Sequence, residues 1–134
     1  MIVLDAGPLI ALFDGSDHHH NSALQFIRAN KQPLVTNVPV LTEACWVLDF
    51  SLAAQRDCLT WVSQTLRVDG ETALDLAQIS TLLAKYRDLP ADFADVSLIA
   101  LCDRLRCYDV ASVDREFTIY RGAGKRAFRN RFWT

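Results

Sequence analysis

Residues 2–10 read Ile2-Val3-Leu4-Asp5-Ala6-Gly7-Pro8-Leu9-Ile10. The three apolar residues before Asp5 predict a short buried β-strand, and the apolar residues at 9, 10, 12 and 13 predict a helix that follows at once. The Gly-Pro pair marks the change of direction between them. The chain therefore begins with a βα unit, and its first acid stands at the carboxyl end of the strand.

The rest of the chain alternates between the same two kinds of segment. Further strands are predicted at 33–36, 67–69, 108–113 and 127–132, and helices at 17–30, 38–48, 53–65, 71–86 and 93–105. In the fourth and fifth helices the residues expected to face inward are Leu59, Trp61, Val62, Leu66, Ala73, Leu76, Ile79, Leu82 and Leu83. Alternating strands and helices imply a parallel sheet covered on both faces. We predict one domain, residues 1–134, with an α/β fold: a three-layer α/β/α sandwich with a central, mainly parallel sheet.

The composition is that of an ordinary folded protein. Hydrophobic residues make up 51% of the 134 residues and charged residues 22%, which argues against a disordered chain. No apolar run approaches the ~18 residues of a membrane span, and the first residues lack the basic start of a signal peptide. We therefore expect a cytoplasmic protein without a membrane segment, and four reduced thiols: Cys45, Cys58, Cys102 and Cys107.

Charge is distributed unevenly although the formal net charge is only -2. The segment from Arg115 to Arg131 contains six basic residues and one acid, whereas the remainder contains eight basic and fifteen acidic residues. A basic tail on an acidic body suits a phosphate backbone bound beside a metal-filled acidic pocket. A solvated basic edge that balances an acidic protein explains the same charge pattern equally well.

Five acids stand at predicted element ends or inside apolar runs, where apolar or capping residues are expected: Asp5, Glu43, Asp92, Asp95 and Asp114. Asp5 and Asp114 each end a predicted strand, and the carboxyl ends of parallel strands lie on one rim of the sheet. The alternative for both is helix capping, for which Asp is a favoured residue. An isolated buried carboxylate is costly, so convergence of these acids would indicate a divalent cation.

Glu43 lies in the apolar segment between Val38 and Leu48, whose only uncharged polar residue is Thr42. Val40 and Val47, one turn away on either side, are apolar. The pattern predicts a buried helix from which Glu43 points toward a compensating charge. The alternative is a salt bridge that the sequence does not reveal.

Asp92 and Asp95 are three residues apart, so they share one face of a helix near its N-terminus. Asp92 can cap that helix, with Asp95 at the favoured third position. The residues that follow, from Val96 to Leu101, are mostly apolar and predict a buried helix whose first turn faces the rim of the sheet.

Other polar residues point to no chemistry of their own. The consecutive residues His18, His19 and His20 project in different directions on a helix and cannot share one ion. Several other aspartates are predicted to be surface or turn residues, namely Asp17, Asp49, Asp57, Asp69, Asp75, Asp88, Asp103 and Asp109. Phosphate-binding glycine loops and a nucleophile elbow are absent from the sequence. Metal-assisted chemistry remains.

Four segments together resemble the PIN-domain ribonucleases, and more narrowly the VapC-like toxins and their stand-alone relatives. They are Leu4-Asp5-Ala6-Gly7-Pro8-Leu9-Ile10-Ala11-Leu12, Thr42-Glu43-Ala44, Leu89-Pro90-Ala91-Asp92-Phe93-Ala94-Asp95-Val96-Ser97-Leu98 and Ser112-Val113-Asp114-Arg115-Glu116-Phe117. Each segment is weak evidence alone, but the order and spacing of all four are fairly specific and cover nearly the whole chain.

The resemblance implies a set of functional residues. Asp5, Glu43, Asp95 and Asp114 correspond to the family's acidic quartet, which binds Mg²⁺ or Mn²⁺, and Asp92 to an accessory acid found in part of the family. Ser112 stands where threonine is commoner, and its hydroxyl could orient Asp114 or a water on the metal. The implied activity is endoribonuclease cleavage of RNA by metal-activated water, with the number of metal ions left open.

The resemblance also suggests partners. RNA would be held along its backbone by Arg115, Arg121, Lys125, Arg126 and Arg129, with Arg104 and Arg106 as additions. Unpaired bases could stack on Phe117, Tyr120, Phe128 or Trp133, although core packing is the simpler role for Phe117 and Phe128. Toxin relatives suggest an antitoxin protein partner, and family members often form homodimers, for which the helices between Ala53 and Tyr86 offer a surface.

Two other functions stay open from the sequence. The first is a catalytically silent PIN-like module that binds RNA or protein, which would no longer need a costly cluster of acids. The second is a small-molecule phosphohydrolase that uses the same metals and does not need the basic tail.

Overall fold

The structure is a computed structural model that describes residues 1–133. Its strands are β1 (Ile2–Leu4), β2 (Leu34–Asn37), β3 (Arg67–Asp69), β4 (Asp109–Ala111), β5 (Arg121–Gly122), β6 (Arg126–Ala127) and β7 (Arg129–Asn130). Its helices are α1 (Ala6–Phe13), α2 (His20–Ala29), α3 (Val38–Val47), α4 (Leu52–Thr65), α5 (Leu76–Lys85) and α6 (Phe93–Leu105). Short 3₁₀ turns occupy Leu48–Phe50, Thr72–Asp75, Arg115–Thr118 and Ala123–Lys125.

Five strands form one sheet in the order β3-β2-β1-β4-β7, and every neighbouring pair is parallel. All residues of β1 and β2 are buried, as expected for a sheet with helices on both faces. The predicted three-layer α/β fold is therefore confirmed. The chain winds from β1 toward β3 on one side and then returns to β4 on the other, so the order of strands reverses between β1 and β4. Open α/β sheets place their ligand sites at such a reversal, beyond the carboxyl ends of the strands.

Helix α6 lies in the interior of the protein. Nine consecutive residues, from Ala94 to Cys102, are buried, and the helix packs against both α3 and α5. The predicted burial of this helix is confirmed. Its N-terminus carries Asp92 and Asp95, so both acids stand on a firmly packed element.

Helices α3, α4 and α5 are less buried than their sequences predict. Trp46 on α3 is 78% exposed and Val47 is also exposed, so the prediction of a buried third helix is wrong. Among the residues expected to face inward, Val62, Ile79 and Leu82 are buried, whereas Leu59, Ala73, Leu76 and Leu83 are exposed and Trp61 and Leu66 are half-buried. The physical reason is that these helices contain more apolar residues than their core-facing sides can accommodate.

The boundaries of two predicted segments also differ. The predicted helix at 71–86 begins with the 3₁₀ turn at Thr72–Asp75, and α5 starts only at Leu76. The predicted last strand at 127–132 is divided into β6, which pairs antiparallel with the unpredicted β5, and β7, which joins the main sheet. Gly124 and Lys125 have φ angles of 68° and 62°, and this tight turn lets the chain fold back in a hairpin.

Asp69 and Asp75 were predicted to be surface or turn residues; Asp75 does lie in the 3₁₀ turn Thr72–Asp75, but neither residue is at the surface. Both are buried beside Arg104 of α6. The Arg104 guanidinium donates two hydrogen bonds of 2.8 Å to Asp69 and two, of 3.1 and 2.9 Å, to Asp75. Arg104 holds the pKa of Asp69 below its usual range. The guanidinium donors of Arg104 are bonded to these two acids, which argues against the suggested contact between Arg104 and the RNA backbone.

No helix within residues 1–133 is long and apolar enough to cross a membrane. The four cysteines are free thiols, of which Cys58 and Cys102 are buried.

Candidate metal centre

Asp5 lies at the carboxyl end of β1, at the reversal of strand order. It is 4% exposed, and Oδ1 accepts a 2.7 Å hydrogen bond from the backbone N–H of Ala6, which caps α1. The next glycine, Gly7, has no room for a side chain because a Cβ atom there would overlap Val113. Asp5 thus caps α1, which was the alternative considered for it, and the tight packing of α1 against the end of β4 fixes where the carboxylate points.

Ser112 follows β4 and links the ends of the two central strands. Its hydroxyl donates a 2.7 Å hydrogen bond to Asp5 Oδ2 and accepts a 2.9 Å hydrogen bond from the backbone N–H of Asp114. Asn130 of β7 holds the Ser112 backbone, because its side chain accepts from the N–H at 3.2 Å and donates to the carbonyl at 2.8 Å. Sequence reasoning identified Ser112 but missed Asn130, since an Asn in a basic segment gives no signal of a contact across the sheet.

Glu43 reaches the same rim from α3. The helix begins at Asn37, the last residue of β2, whose side-chain oxygen accepts a 3.0 Å hydrogen bond from the N–H of Val40. The Asn37 amide also donates to the buried hydroxyl of Ser97 on α6 at 3.0 Å. This bond joins the helix that carries Glu43 to the helix that carries Asp95. Asn before Val-Pro signals a helix start, but no sequence pattern indicates its bond to Ser97.

Asp92 and Asp95 form a reciprocal capping box at the start of α6. Asp92 Oδ1 accepts from the Asp95 N–H at 2.9 Å, and Asp95 Oδ2 accepts from the Asp92 N–H at 3.0 Å. The capping alternative considered for this pair is therefore correct. It leaves Asp95 Oδ1 without a backbone donor, and it fixes the Asp95 side chain at the rim, so capping and a metal-binding position are compatible.

The acids converge on one point. One carboxylate oxygen from each of Asp5, Glu43 and Asp95 lies within 4.8 Å of the others. Asp114 lies outside this tightest set and accepts a 2.8 Å hydrogen bond from the N–H of Glu116, capping a 3₁₀ turn. Its charge nevertheless acts on all three converging acids, so Asp114 lies beside the cluster. We call the group of Asp5, Glu43 and Asp95 the acid cluster.

Burial and mutual repulsion make negative charge costly in the acid cluster. Burial raises the pKa of Asp5 from 3.8 to about 6, against the opposing effect of the Ser112 hydrogen bond. Burial is also the largest cause of the raised pKa values of Glu43 and Asp95; the charges of Asp92 and Asp5 add to it at Glu43, and that of Asp5 at Asp95. No lysine, arginine or histidine among residues 1–133 forms an ion pair of 4.0 Å or less with these three acids.

The donor set fits a hard divalent cation. Oxygen ligands around one ion lie within about 4 to 5 Å of one another, which matches the spacing in the acid cluster. A second observation is the Tyr120 hydroxyl, which is buried and has no hydrogen-bond partner among residues 1–133. Burial and then the charges of Asp95 and Asp114 raise the pKa of Tyr120. An unsatisfied hydroxyl near these acids is suited to a ligand or an ordered water beside the ion.

The basic residues predicted to hold RNA lie in different settings. Arg115 and Lys125 are exposed, and Arg115 directly follows Asp114 at the rim. Arg121 donates to the carbonyls of Thr118 and Tyr120, and the Arg126 guanidinium lies 4.4 Å from the centre of the Tyr108 ring. Arg129 forms a 3.1 Å ion pair with Asp109 at the start of β4, the opposite end of that strand from Ser112. Arg115 therefore has the placement that best suits a phosphate at the acid cluster.

Two of the aromatic residues considered for base stacking are too deeply buried to contact a base. Phe117 and Tyr120 are buried in the core, which confirms core packing for Phe117 and makes the stacking suggestion for Tyr120 wrong. Phe128 is partly buried against the same core. Trp133 is half exposed and contacts the ring of His19 edge-on at 5.4 Å. The histidine run leads into α2, which begins at His20 with His19 as its N-cap, and His20 places Nδ1 2.6 Å from the Ala11 carbonyl.

The protein is therefore an α/β protein in which carboxylates converge where the order of parallel strands reverses, and this site is a candidate metal centre. The chain belongs to the PIN domain family, whose model matches residues 2–123. It is similar to Ribonuclease VapC26 of Mycobacterium tuberculosis, with 26% identity over 130 residues, covering 92% of this chain and 94% of the relative.

A solved structure shows the same fold. The crystal structure of VapC20 from Mycobacterium tuberculosis, described as a toxin that cleaves the sarcin-ricin loop, superimposes with a TM-score of 0.77. The match covers 96% of this chain and 99% of VapC20, at 19% sequence identity. At that identity the likeness shows the fold alone, and it confirms the architecture predicted from the alternating strands and helices.

Proposed function

We propose that this chain is a metal-dependent endoribonuclease that cleaves RNA phosphodiester bonds with a water molecule as nucleophile. The observation that carries the proposal is the convergence of Asp5, Glu43 and Asp95 at the strand reversal. Asp114 completes the proposed catalytic and metal-binding quartet from its position beside the cluster. A bound Mg²⁺ or Mn²⁺ would supply activation of water and stabilisation of charge on the scissile phosphate.

In this proposal, residues of the chain bind the cation and fix the orientation of its ligands. The carboxylates of Asp5, Glu43 and Asp95 provide hard oxygen ligands, and their raised pKa values mean that a cation competes with protons for the site. By donating to Oδ2, Ser112 fixes the orientation of Asp5 and lowers a pKa that burial raises. Asp92 is an accessory residue that fixes Asp95 through the capping box.

The substrate and partners are proposed from the relatives and from charge. Because the similar proteins are named as a ribonuclease and as an RNA-loop-cleaving toxin, we propose an RNA substrate and an antitoxin protein as inhibitor, with action in the cytoplasm. Arg115 is the first proposed contact to the RNA backbone, followed by Arg121, Lys125, Arg126 and Arg129. We retain the homodimer as a proposal, with the exposed apolar side chains Leu59, Leu76 and Leu83 on its surface.

Cleavage of single-stranded RNA with added Mn²⁺ or Mg²⁺ tests the activity. We expect the Asp5→Asn and Asp95→Asn variants to lose about 100-fold or more of the rate, because each removes charge that holds the ion. The matched control is Asp57→Asn, which changes an exposed acid on α4 and should leave the rate unchanged. Full activity of Asp95→Asn would refute the proposal, as would cleavage of mononucleotides in place of RNA.

Growth of cells that express the protein tests the toxin assignment separately. The wild type should arrest growth, whereas Asp95→Asn expressed to the same level should not. If the two strains grow equally and the protein cleaves RNA in vitro, the ribonuclease activity stands and the toxin assignment is refuted.

A further inference from the structure

A cleft between α3 and the first turn of α6 adjoins the acid cluster. It is open to solvent, has a volume of about 620 Å³ and has a mostly apolar lining. We call it the α3–α6 cleft; the lining residues that matter are Val38, Thr42, Glu43, Trp46, Asp92 and Phe93. Since Glu43 belongs to both the cleft wall and the acid cluster, a molecule bound at the cluster can extend directly into the cleft.

Two aromatic rings in the α3–α6 cleft are exposed to solvent. Trp46 is 78% exposed and Phe93 is 44% exposed, although both residues belong to helices that pack on the core. Aromatic side chains carry large apolar areas and strongly favour burial against a flat partner. Their position beside the acids makes them suited to contact a ligand that is held there.

The charges around the cleft restrict what that ligand can be. Glu43 and Asp92 form its acidic wall, and no lysine or arginine among residues 1–133 lines it. An anionic group lying in the cleft, away from the cation proposed at the acid cluster, would be repelled by this wall. The uncharged base of a nucleotide suits it, because bases stack on aromatic rings whatever their sequence.

We propose that the α3–α6 cleft binds one unpaired nucleobase of the RNA, adjacent to the scissile phosphate, by contact with Trp46 and Phe93. The proposal rests on the proposed ribonuclease activity and adds a base-binding subsite to it. The Thr42 hydroxyl donates to the Val38 carbonyl at 3.0 Å, so its lone pairs can accept a hydrogen bond from the base. Because a base in a duplex is already stacked on its neighbours, the subsite selects single-stranded or looped RNA.

The experiment starts from an oligoribonucleotide that the wild type cuts at one bond. Its cleavage is compared with that of a series of oligoribonucleotides, each with one abasic nucleotide at a different position. We expect one abasic position beside the cut to lower the wild-type kcat/KM about tenfold. Trp46→Ala should cleave the intact substrate about tenfold more slowly and be insensitive to that abasic position. Trp46→Phe should recover most of the rate. The control is Phe50→Ala, which removes an exposed aromatic ring outside the cleft.

The outcomes separate this inference from the activity on which it depends. If the wild type cleaves RNA, and Trp46→Ala has the same rate and the same sensitivity to the abasic position, the subsite is refuted. The proposed ribonuclease activity would then still stand. A change in sedimentation of Trp46→Ala with unchanged cleavage refutes it in favour of a protein partner or a second copy at this surface. If the wild type cleaves no RNA, the proposed function fails instead.

Discussion

The Ser112 hydroxyl donates a 2.7 Å hydrogen bond to Oδ2 of Asp5, although 107 residues separate them in the chain. This bond joins the carboxyl ends of β4 and β1, where the order of strands in the sheet reverses. It is buried, and it lowers the pKa of a carboxylate that burial would otherwise raise further. The orientation and charge of Asp5 therefore depend on a residue from the other end of the chain.

Replacing Ser112 with Ala should weaken metal binding without removing any ligand. Loss of the donor raises the pKa of Asp5 above its value of about 6, so protons compete more strongly near neutral pH. We expect Mn²⁺ affinity at pH 7 to fall about tenfold, as is typical when a group that orients a metal ligand is lost. Titration calorimetry measures the change, and Ser112→Thr, which keeps the hydroxyl, is the control. Equal affinities of Ser112→Ala and the wild type would contradict this role.

The metal-free protein should lose stability as the pH rises. The folded state binds the proton of Asp5 more tightly than the unfolded state does, because its pKa is raised from 3.8 to about 6. The contribution of Asp5 protonation to the free energy of unfolding is thus fully present below about pH 4 and is lost as the pH rises through about 6. The raised pKa values of Glu43 and Asp95 extend the loss to higher pH, whereas the lowered pKa of Asp69 adds no change above about pH 4.

Thermal unfolding in a chelator should show this loss as a fall in Tm of about 5 °C between pH 5 and pH 8. Mn²⁺ should restore Tm at pH 8, because the cation replaces the protons. The Asp5→Asn variant should show a shallower dependence on pH. A Tm that is constant or rises over this range in the metal-free wild type would show that the acid cluster is not electrostatically strained.

Replacing Arg104 with Ala should destabilise the fold and leave the chemistry intact. Asp69 and Asp75 would remain buried without a cationic partner, at a cost of about 3 kcal/mol, which a denaturant titration would show as a lower free energy of unfolding. Arg129→Ala is the matched control, because its ion pair with Asp109 involves a guanidinium that is 69% exposed, and such pairs contribute little. RNA affinity of folded Arg104→Ala should equal that of the wild type; a loss would mean that Arg104 contacts the substrate after all.

Two replacements of Asp92 should separate capping from metal binding. Asp92→Ala loses the acceptor for the Asp95 N–H and should cost about 1 kcal/mol of stability. Asp92→Ser keeps an acceptor and should retain both stability and Mn²⁺ affinity, because Asp92 is not one of the three converging acids. Unfolding and calorimetry on the same samples test both points. An Asp92→Ser variant that is stable but binds Mn²⁺ as poorly as Asp95→Asn would make Asp92 a ligand.

Helix termini and strand ends are features that local sequence predicts well. The run from Ile2 to Pro8 places Asp5 at the end of β1, and the spacing of Asp92 and Asp95 predicts the capping box that the structure contains. These predictions succeed because a cap or a strand end depends on residues within one turn of each other. The parallel order of the strands follows from their alternation with helices.

Exposure of the helices was harder to predict. The apolar sequence around Glu43 indicates a buried helix, yet Trp46 is mostly exposed, because apolar residues are retained on a surface as well as in a core. Glu43 reaches the rim all the same, held through Asn37 and Ser97, which are 60 residues apart. The sequence therefore singled out an acid that joins the acid cluster, although its interpretation of the helix as buried was wrong.

Local sequence predicts the α/β architecture, the strand-end position of Asp5 and the pairing of Asp92 with Asp95. The folded structure is needed to show that β4 ends before Ser112, that Asp5, Glu43 and Asp95 converge, that Arg104 binds Asp69 and Asp75, and that an aromatic cleft adjoins the acids. The difference arises because the two kinds of interaction act over different distances along the chain. Dihedral preferences and capping act over a few residues, whereas the energy of a carboxylate depends on which charges the folded chain brings within a few ångströms of it.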